Sequence, residues 1–543
     1  MKCLIVLLFA ALNLPLVFAA WGYTDNGNTG ASLVFSIDTT NGDLSSIKYK
    51  GKEYNGYNRK NSHIQSGFGK SDVKIQQFTT PANIIKVTVT YGTIIQTYIA
   101  RYGNNNIYML TRKGDNTVPA LRYIVRMIAN QFDKSTNDAD YQDTPETPVE
   151  AQDITRNSAT TFTKSKHYSG AADGRTMDYD YVGRTSSSVG MFLIRSNHEK
   201  ASGGPFFRSL LRRATTAEED LYEILYYNMG TTDPERFGLQ GPYLLSFTDG
   251  GAPSTNLFAR RAEYSWMDNL GITDWVPASG RGYVSGVGIS NMKSGHTYVA
   301  GLSNANAQYW GTAAASGGAY RINGVLPGTY TLRIYRDEIE VSTRSVDVKA
   351  GAGTAVNTIT PSDPSDTTAI WKIGGWDGTP AGFTNFDTTP MKPTYMHPSD
   401  GRLASWNPPN YIVGTSNAAS AMPGYMWVDV NNDQLIYFKL PAAQTATSHK
   451  VRIGITEAFA GGTPKISING WTSPNPAASS QASTRSLTVG TYRGTNHMFT
   501  YDVPASAFLA AGEYNIMKIT IISGSSGVTY LSPGVSLDAI DFL

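Results

Sequence analysis

From residue 31 to residue 101, apolar and polar positions alternate in short runs such as Ser32-Leu-Val-Phe-Ser-Ile and Ile84-Ile-Lys-Val-Thr-Val-Thr-Tyr, separated by Asn-Gly and Gly-Lys turns. A period of two places successive side chains on opposite faces of a strand, so these runs predict β-strands with one face toward a core. Similar runs cover Ile107 to Arg112, Leu121 to Met127, Val189 to Ile194 and Leu244 to Phe247, and the helical period is missing throughout. No linker interrupts them. Residues 21–277 therefore read as one large antiparallel β-sandwich.

Past Pro277 the strands become shorter and more closely spaced: Val284-Ser-Gly-Val-Gly-Ile, Ala319-Tyr-Arg-Ile, Gly328-Thr-Tyr-Thr-Leu-Arg-Ile-Tyr and Val341 to Val348. This spacing predicts a small sandwich of fibronectin type III-like kind over 278–362. Thr358-Ile-Thr-Pro-Ser-Asp-Pro-Ser-Asp-Thr-Thr has the composition of a linker. Beyond it, Ile370-Trp-Lys-Ile-Gly-Gly-Trp-Asp opens a third strand-rich module, 363–543, that closes on Val535-Ser-Leu-Asp-Ala-Ile-Asp-Phe-Leu. A jelly roll with paired terminal strands is expected there, of the type found in carbohydrate-binding modules; the bland alternative is a sandwich that only buttresses the first domain. The predicted fold class is all-β in three modules.

Composition narrows the setting. Charged residues are 16% of the chain, aromatics 11%, and there are 53 glycines among 543 residues, a balance that suits an extracellular β-protein. The formal charge of +2 gives no electrostatic reason to expect nucleic acid. Residues 1–20 carry Lys2, an apolar run from Cys3 to Leu12 and a small-residue end, Val17-Phe-Ala-Ala, which predicts a secretion signal. No other apolar run spans a bilayer, so a secreted, extracellular chain without a membrane anchor is expected. The single cysteine, Cys3, falls inside that signal, which leaves the mature chain without a disulfide. There is no Asn-x-Ser/Thr sequon, so no N-glycan is expected.

The densest chemistry lies between Thr163 and Tyr243, where Lys164, Lys166, His167, Arg208 and Arg236 stand among Tyr168, Phe206, Phe207, Tyr222, Tyr226, Tyr227 and Tyr243. Cations for carboxylates and rings for the apolar faces of pyranoses suit a groove for an anionic sugar; a twisted sheet with a solvated basic face fits equally well. Alternation in Leu121-Arg-Tyr-Ile-Val-Arg turns Leu121, Tyr123 and Val125 one way and Arg122, Ile124 and Arg126 the other. On pattern alone Arg122 is a surface-strand arginine and Lys166 a solvated lysine.

What lifts both is a resemblance. Ser62-His-Ile-Gln-Ser-Gly-Phe-Gly, Leu121-Arg-Tyr-Ile, Lys164-Ser-Lys-His-Tyr-Ser, Ser202-Gly-Gly-Pro-Phe, Gly238-Leu-Gln-Gly-Pro-Tyr, Ala278-Ser-Gly-Arg-Gly, Met396-His-Pro-Ser-Asp-Gly-Arg and Ile522-Ser-Gly-Ser-Ser-Gly-Val-Thr-Tyr-Leu-Ser-Pro occur in this order. Together they resemble the rhamnogalacturonan lyases of polysaccharide lyase family 4. The resemblance implies a catalytic sandwich, a fibronectin-like domain and a jelly roll acting on the rhamnose–galacturonate backbone of pectin by β-elimination. It places Lys166 at the catalytic lysine and Arg122 where an arginine grips the uronate carboxylate. It makes Tyr168, Arg208 and Tyr243, with Arg493 of the third module, the expected sugar contacts. A lysine can abstract a proton only as the free amine, so its pKa of about 10.4 must be lowered by burial or by a neighbouring cation such as Arg122.

The family also places a catalytic histidine ahead of the Gly-Leu-x-Gly-Pro-Tyr run. Here the interval Leu225-Tyr-Tyr-Asn-Met-Gly-Thr-Thr-Asp-Pro-Glu-Arg-Phe-Gly-Leu is short and has no histidine. Tyr226, Tyr227, Tyr222 or His63 is the expected proton donor in its place, since a phenol stays protonated at neutral pH. His167, next to Lys166, should face away if that stretch is extended. The competing expectation is a pectin-binding protein that has lost turnover. No cofactor is expected for catalysis. Asp377 and Asp538, near the ends of the third module, are the expected ligands of a structural calcium, with surface aspartates as the alternative. His397, Asp400 and Arg402 are too close in sequence to read as a triad and are expected to form a turn held by its own hydrogen bonds. A monomer whose partner is pectic polysaccharide is expected.

Overall fold

The computed structural model describes residues 2–3, 18–21, 32–56, 60–78, 84–101, 103–115, 118, 120–129, 131–132, 146–150, 154–165, 180–201, 203–206, 210–214, 219–227, 235–259, 261–386, 397–479, 481, 496–523, 525 and 527–543. Of the expected site residues, Lys166, Tyr168, Arg208 and Arg493 lie outside this set, as does the side chain of Tyr227. So do residues 4–17 of the predicted signal; the short strands on either side of them, Lys2–Cys3 and Phe18–Trp21, pair with Ser32–Asp38.

The first module is built on a seven-stranded antiparallel sheet in the order Tyr181–Thr185, Gly190–Arg195, Gly238–Thr248, Asn106–Lys113, Ile94–Arg101, Ile84–Tyr91, Asp72–Phe78. One face packs against strands Ser32–Asp38 and Leu44–Tyr49 and against a four-stranded sheet, closing a core that includes Leu33, Ile47, Val87, Tyr98, Met109, Tyr123, Val125, Leu221 and Leu245. The opposite face is buried too. Ile99, Tyr108, Leu110, Phe192 and Leu244 lie beneath Trp266, Met267 and Leu270 from the short turns that follow the last strand. More than two sheets therefore make up the predicted sandwich. The same module also carries a small three-stranded sheet, Glu146–Glu150, Ile154–Asn157 and Thr163–Ser165.

The middle module is a sandwich of three strands (Tyr320–Val325, Gly282–Gly286, Gly353–Val356) on four (Gln308–Thr312, Tyr298–Ser303, Gly328–Arg336, Ile339–Val348), as its strand spacing predicts. It is fastened to the first module by polar groups that are expensive to bury unpaired. Glu199 bonds both Arg281 and Tyr309, and Arg236 donates to the carbonyls of Ala201 (2.7 Å) and Asn304 (3.1 Å). Arg236 and Phe206 are thus structural and not groove residues: Arg236 is 2% exposed, and Phe206 packs edge-on against Tyr335.

The predicted linker is not free. Asp363 is buried and receives Arg336 Nε at 2.5 Å, while Ile359 joins the middle core. The third module is a double sheet with two four-residue helices, and its terminal strands Trp371–Gly374 and Gly534–Phe542 pair as expected. Trp376, just past the first of them, inserts into the core of the middle module.

Candidate active site

The four-stranded sheet runs Leu210–Ala214, Glu219–Tyr227, Ala120–Met127, His63–Ile64. Its alternation is the one the sequence predicts. Ile64, Leu121, Tyr123, Val125 and Leu221 enter the main core, whereas Ile124, Tyr222 and Ile224 form a small cluster on the other side. The register sets His63 and Tyr222 on either side of Ile124, and Asp220 opposite Arg126. One face of the sheet therefore carries His63, Arg122, Arg126, Asp220 and Tyr222.

The Ser62-His-Ile-Gln motif explains why a two-residue strand holds there. Ser62 Oγ accepts the amide of Arg126 at 2.8 Å and bonds the Asn55 side chain, and Gln65 N donates to the carbonyl of Arg122 at 2.8 Å. The backbone of Arg122 is thereby tied on both sides.

Charge on this face is unevenly matched. Arg126 Nη1 meets Asp220 Oδ2 at 2.9 Å, and the Tyr222 hydroxyl donates to the same oxygen at 3.1 Å. Arg122 is half-buried, and its Nε has no hydrogen-bond partner among the described residues. Nε of Arg126 is likewise unbonded, but that guanidinium has its carboxylate. His63 is 8% exposed and its Nδ1 has no partner among the described residues. Burial first, then the charge of Arg126 and more weakly that of Arg122, pulls its pKa down to about 4, so the ring is neutral at neutral pH. Asp220 pairs with Arg126, and among the described side chains no carboxylate pairs with Arg122. A single carboxylate on a bound sugar would neutralise it.

Other expected residues fall elsewhere. Tyr243 is a correction: it is 1% exposed in the main core, its hydroxyl 2.7 Å from Thr111 Oγ1 and its ring against Tyr123, so no sugar reaches it. Tyr226 is opposite Leu121, after an irregularity in register between Leu121 and Arg122, and packs on the main core beneath the Lys113 ammonium. It is on the other side of the sheet from Arg122. Tyr227 pairs through its backbone with Ala120. Asp220 is the residue of this face that sequence reasoning misses: alternation sets Arg126 beside Arg122 and Tyr222 is an expected donor, but the carboxylate that joins them is 94 positions from Arg126.

Asp377 and Asp538 do come together, across a turn. Asp538 Oδ1 accepts the amides of Asp377 (3.1 Å) and Gly378 (2.9 Å), and Asp377 Oδ1 takes the amide and hydroxyl of Thr379 at 2.7 and 2.6 Å. Complete burial, reinforced by the charge of Asp377, pushes the Asp538 carboxyl well above the usual range. Calcium takes six to eight oxygens. Among the described residues no third His, Cys, Asp or Glu joins the pair, and their amide bonds close the turn.

Family models match most of the chain: "Rhamnogalacturonan lyase B, N-terminal" over residues 21–274, "Polysaccharide lyase family 4, domain II" over 280–356 and "Polysaccharide lyase family 4, domain III" over 369–542. The chain is 36% identical to rhamnogalacturonate lyase A of Emericella nidulans, with 96% of each chain covered. The chain belongs to polysaccharide lyase family 4, the rhamnogalacturonan lyases. A second relative, rhamnogalacturonate lyase A of Aspergillus aculeatus, is 34% identical over 99% of this chain and 98% of its own. The three matched spans fall on the three modules of this family member, and the Arg122 sheet lies in the first of them.

Proposed function

We propose that this chain is a secreted, endo-acting lyase that cleaves the rhamnogalacturonan I backbone at rhamnose–galacturonate bonds by β-elimination. The observation that carries the reading is the half-buried Arg122 guanidinium, whose Nε has no partner among the described residues, on the same sheet face as a neutral imidazole, with core on the other face. Proton loss from C5 of galacturonate moves charge onto the carboxylate oxygens, and a preplaced cation stabilises that enolate more than the ground state. Lys166, on resemblance, is the base that takes the proton as its free amine. The electron pair released at C5 forms the C4–C5 double bond, the C4–O bond breaks, and the departing oxygen receives a proton. On the Arg122 face the Tyr222 hydroxyl is the described group suited to supply it, whereas His63, neutral at neutral pH, is a poor acid and Tyr226 packs on the main core. None of these steps calls for a cofactor, and a monomer suffices.

Mass spectrometry of the products separates the chemistries. Elimination yields an unsaturated uronate at the new non-reducing end, one water lighter than the product of hydrolysis. The reading expects these products from rhamnogalacturonan and none from unbranched polygalacturonate. Saturated products would refute elimination. A second reading is favoured by the interval Leu225 to Leu239, which has no histidine: a pectin-binding protein without turnover. Tight binding of the polymer with no products at any pH would select it.

A further inference from the structure

The turn His397–Arg402 of the third module does more than hold itself together. Its internal bonds are present, with Arg402 Nε on Asp400 Oδ1 at 2.9 Å and His397 Nδ1 2.8 Å from Ser399 Oγ. Other contacts of the turn reach the small sheet of the first module. Asp400 Oδ2 accepts the backbone amide of Thr163 at 2.5 Å and the Thr163 hydroxyl at 2.8 Å, and the amide of His397 donates to that hydroxyl at 3.1 Å. The Gly401 amide bonds the carbonyl of Thr161 at 3.2 Å, and a Cβ at Gly401 would sit 1.9 Å from Thr161 Oγ1. Arg156 Nη2 bonds the Ser399 carbonyl at 3.1 Å, and His397 Nε2 lies 3.3 Å from Glu150 Oε2. The Arg402 guanidinium stacks 4.3 Å from the Phe162 ring. One turn thus touches all three strands.

That sheet has little else to hold it. Three short strands need a hydrophobic face to be stable, and among the described residues Ile154 is their one buried hydrophobic side chain. Thr163, Asp400 and His397 are each at least nine-tenths buried, so the bonds between them form away from water, where an unmade bond is costly. Among the described residues the last strand, Thr163–Ser165, pairs within its sheet with one neighbour, Ile154–Asn157, and Asp400 grips its first residue from the third module. Lys166 follows Ser165 in the chain. Whatever shifts Ser165 shifts the point from which that lysine must reach.

We propose that Asp400 is a positioning residue for the elimination: across the module boundary it anchors the Thr163–Ser165 strand and so fixes the origin of the catalytic base. The third module is then a structural part of the catalytic apparatus and not only an attachment to it. This inference rests on Lys166 acting as the base. Positioning matters because a displacement of about 1 Å can cost about a hundredfold in rate.

The test uses the full chain with rhamnogalacturonan. Asp400→Ala and Thr163→Val are expected to lower kcat tenfold or more with KM changed less than threefold, whereas Thr163→Ser, which keeps the hydroxyl, should restore most of kcat. Because Val also leaves buried polar groups unpaired, thermal melts and active-site titration accompany each variant: a loss of kcat explained by a lower folded fraction would overturn the positioning role, and a loss per folded molecule supports it. Hydrogen exchange on the unmodified chain adds a measurement that needs no variant: the Thr163 amide should be protected, and fast exchange there would overturn the anchor. Lys166→Ala serves as the reference. If it keeps activity, the base assignment fails; if it is inactive while Asp400→Ala and Thr163→Val turn over at the wild-type rate, only the positioning role fails.

Discussion

Arg122 and Arg126 stand four residues apart on one strand and point the same way, yet replacing them with methionine should damage different properties. Methionine keeps an unbranched, flexible apolar chain in each place, so the comparison isolates the guanidinium. Arg126 is paired with Asp220, which is fully buried. Breaking a buried pair costs about 3–5 kcal/mol, and because Asp220 keeps the Tyr222 hydroxyl the lower end applies. At about 2–4 °C per kcal/mol for a module of this size, Arg126→Met should lower the melting of the first module by about 6–12 °C. Arg122 Nε has no described partner, so Arg122→Met should leave that transition within about 2 °C, consistent with a change below about 0.5 kcal/mol. Its cost should appear in turnover, about 10²–10³ in kcat, the usual loss when one preorganised donor to a developing oxyanion is removed. Thermal unfolding and initial rates on rhamnogalacturonan read the two effects separately. A variant at position 122 that melts as low as the variant at 126, or one that keeps full activity, would show that Arg122 is structural and the argument wrong.

Further outcomes follow from the same geometry. His63 should titrate near pH 4 by NMR, and Arg126→Met should raise that value, because after burial the charge of Arg126 is what depresses it most. A depressed imidazole remains neutral in the fold while the unfolded chain protonates below about pH 6.5, so His63 makes stability rise with pH between about 4 and 6.5. Asp43 and Glu223, both raised to about 7, mainly by burial, act with the opposite sign from about pH 4 up to about 7. Subtracting the pH–stability profile of His63→Gln from that of the wild type isolates the histidine, and a flat difference over that window would contradict the assignment. Tyr226→Phe should retain activity and Tyr222→Phe should lose it if the phenol supplies the proton, as initial rates will tell. Trp376→Ala should destabilise the seam between the second and third modules by about 3–5 kcal/mol, since it opens a cavity in the middle core and removes the indole Nε1 that the Asp541 carboxylate accepts at 2.9 Å. A chelator should leave the melting of the third module unchanged; a marked drop would mean that the Asp377–Asp538 turn holds a cation after all.

How much of the fold is legible in the chain depends on how many faces of each sheet are covered. The four-stranded sheet has core on one side, so period-two alternation survives, and the spacing of Arg122 and Arg126 is enough to put them on a common face. The seven-stranded sheet is buried on both sides. Alternation there marks the strands but not which face meets solvent, and Gly238-Leu-Gln-Gly-Pro-Tyr, which reads as a groove motif, is instead part of a central strand with Tyr243 in the core. Tyr226 departs from expectation for a local reason, the break in register beside Arg122, which no residue type announces. Pairings between distant residues leave no mark in a single sequence: Asp220 with Arg126, and Asp400 with Thr163. The internal bonds of the His397–Arg402 turn are legible from its composition, but its grip on another module is not, because nothing local encodes a partner more than two hundred residues away.

The central claim is elimination at the Arg122 face with Lys166 as base. The most direct measurement follows ultraviolet absorbance during incubation with rhamnogalacturonan, comparing the unmodified chain with Lys166→Ala and counting new reducing ends in the same samples. The account predicts absorbance from the unsaturated uronate rising in step with reducing ends for the unmodified chain, and neither signal for Lys166→Ala. Reducing ends without absorbance, or a Lys166→Ala variant that matches the unmodified chain, would contradict it.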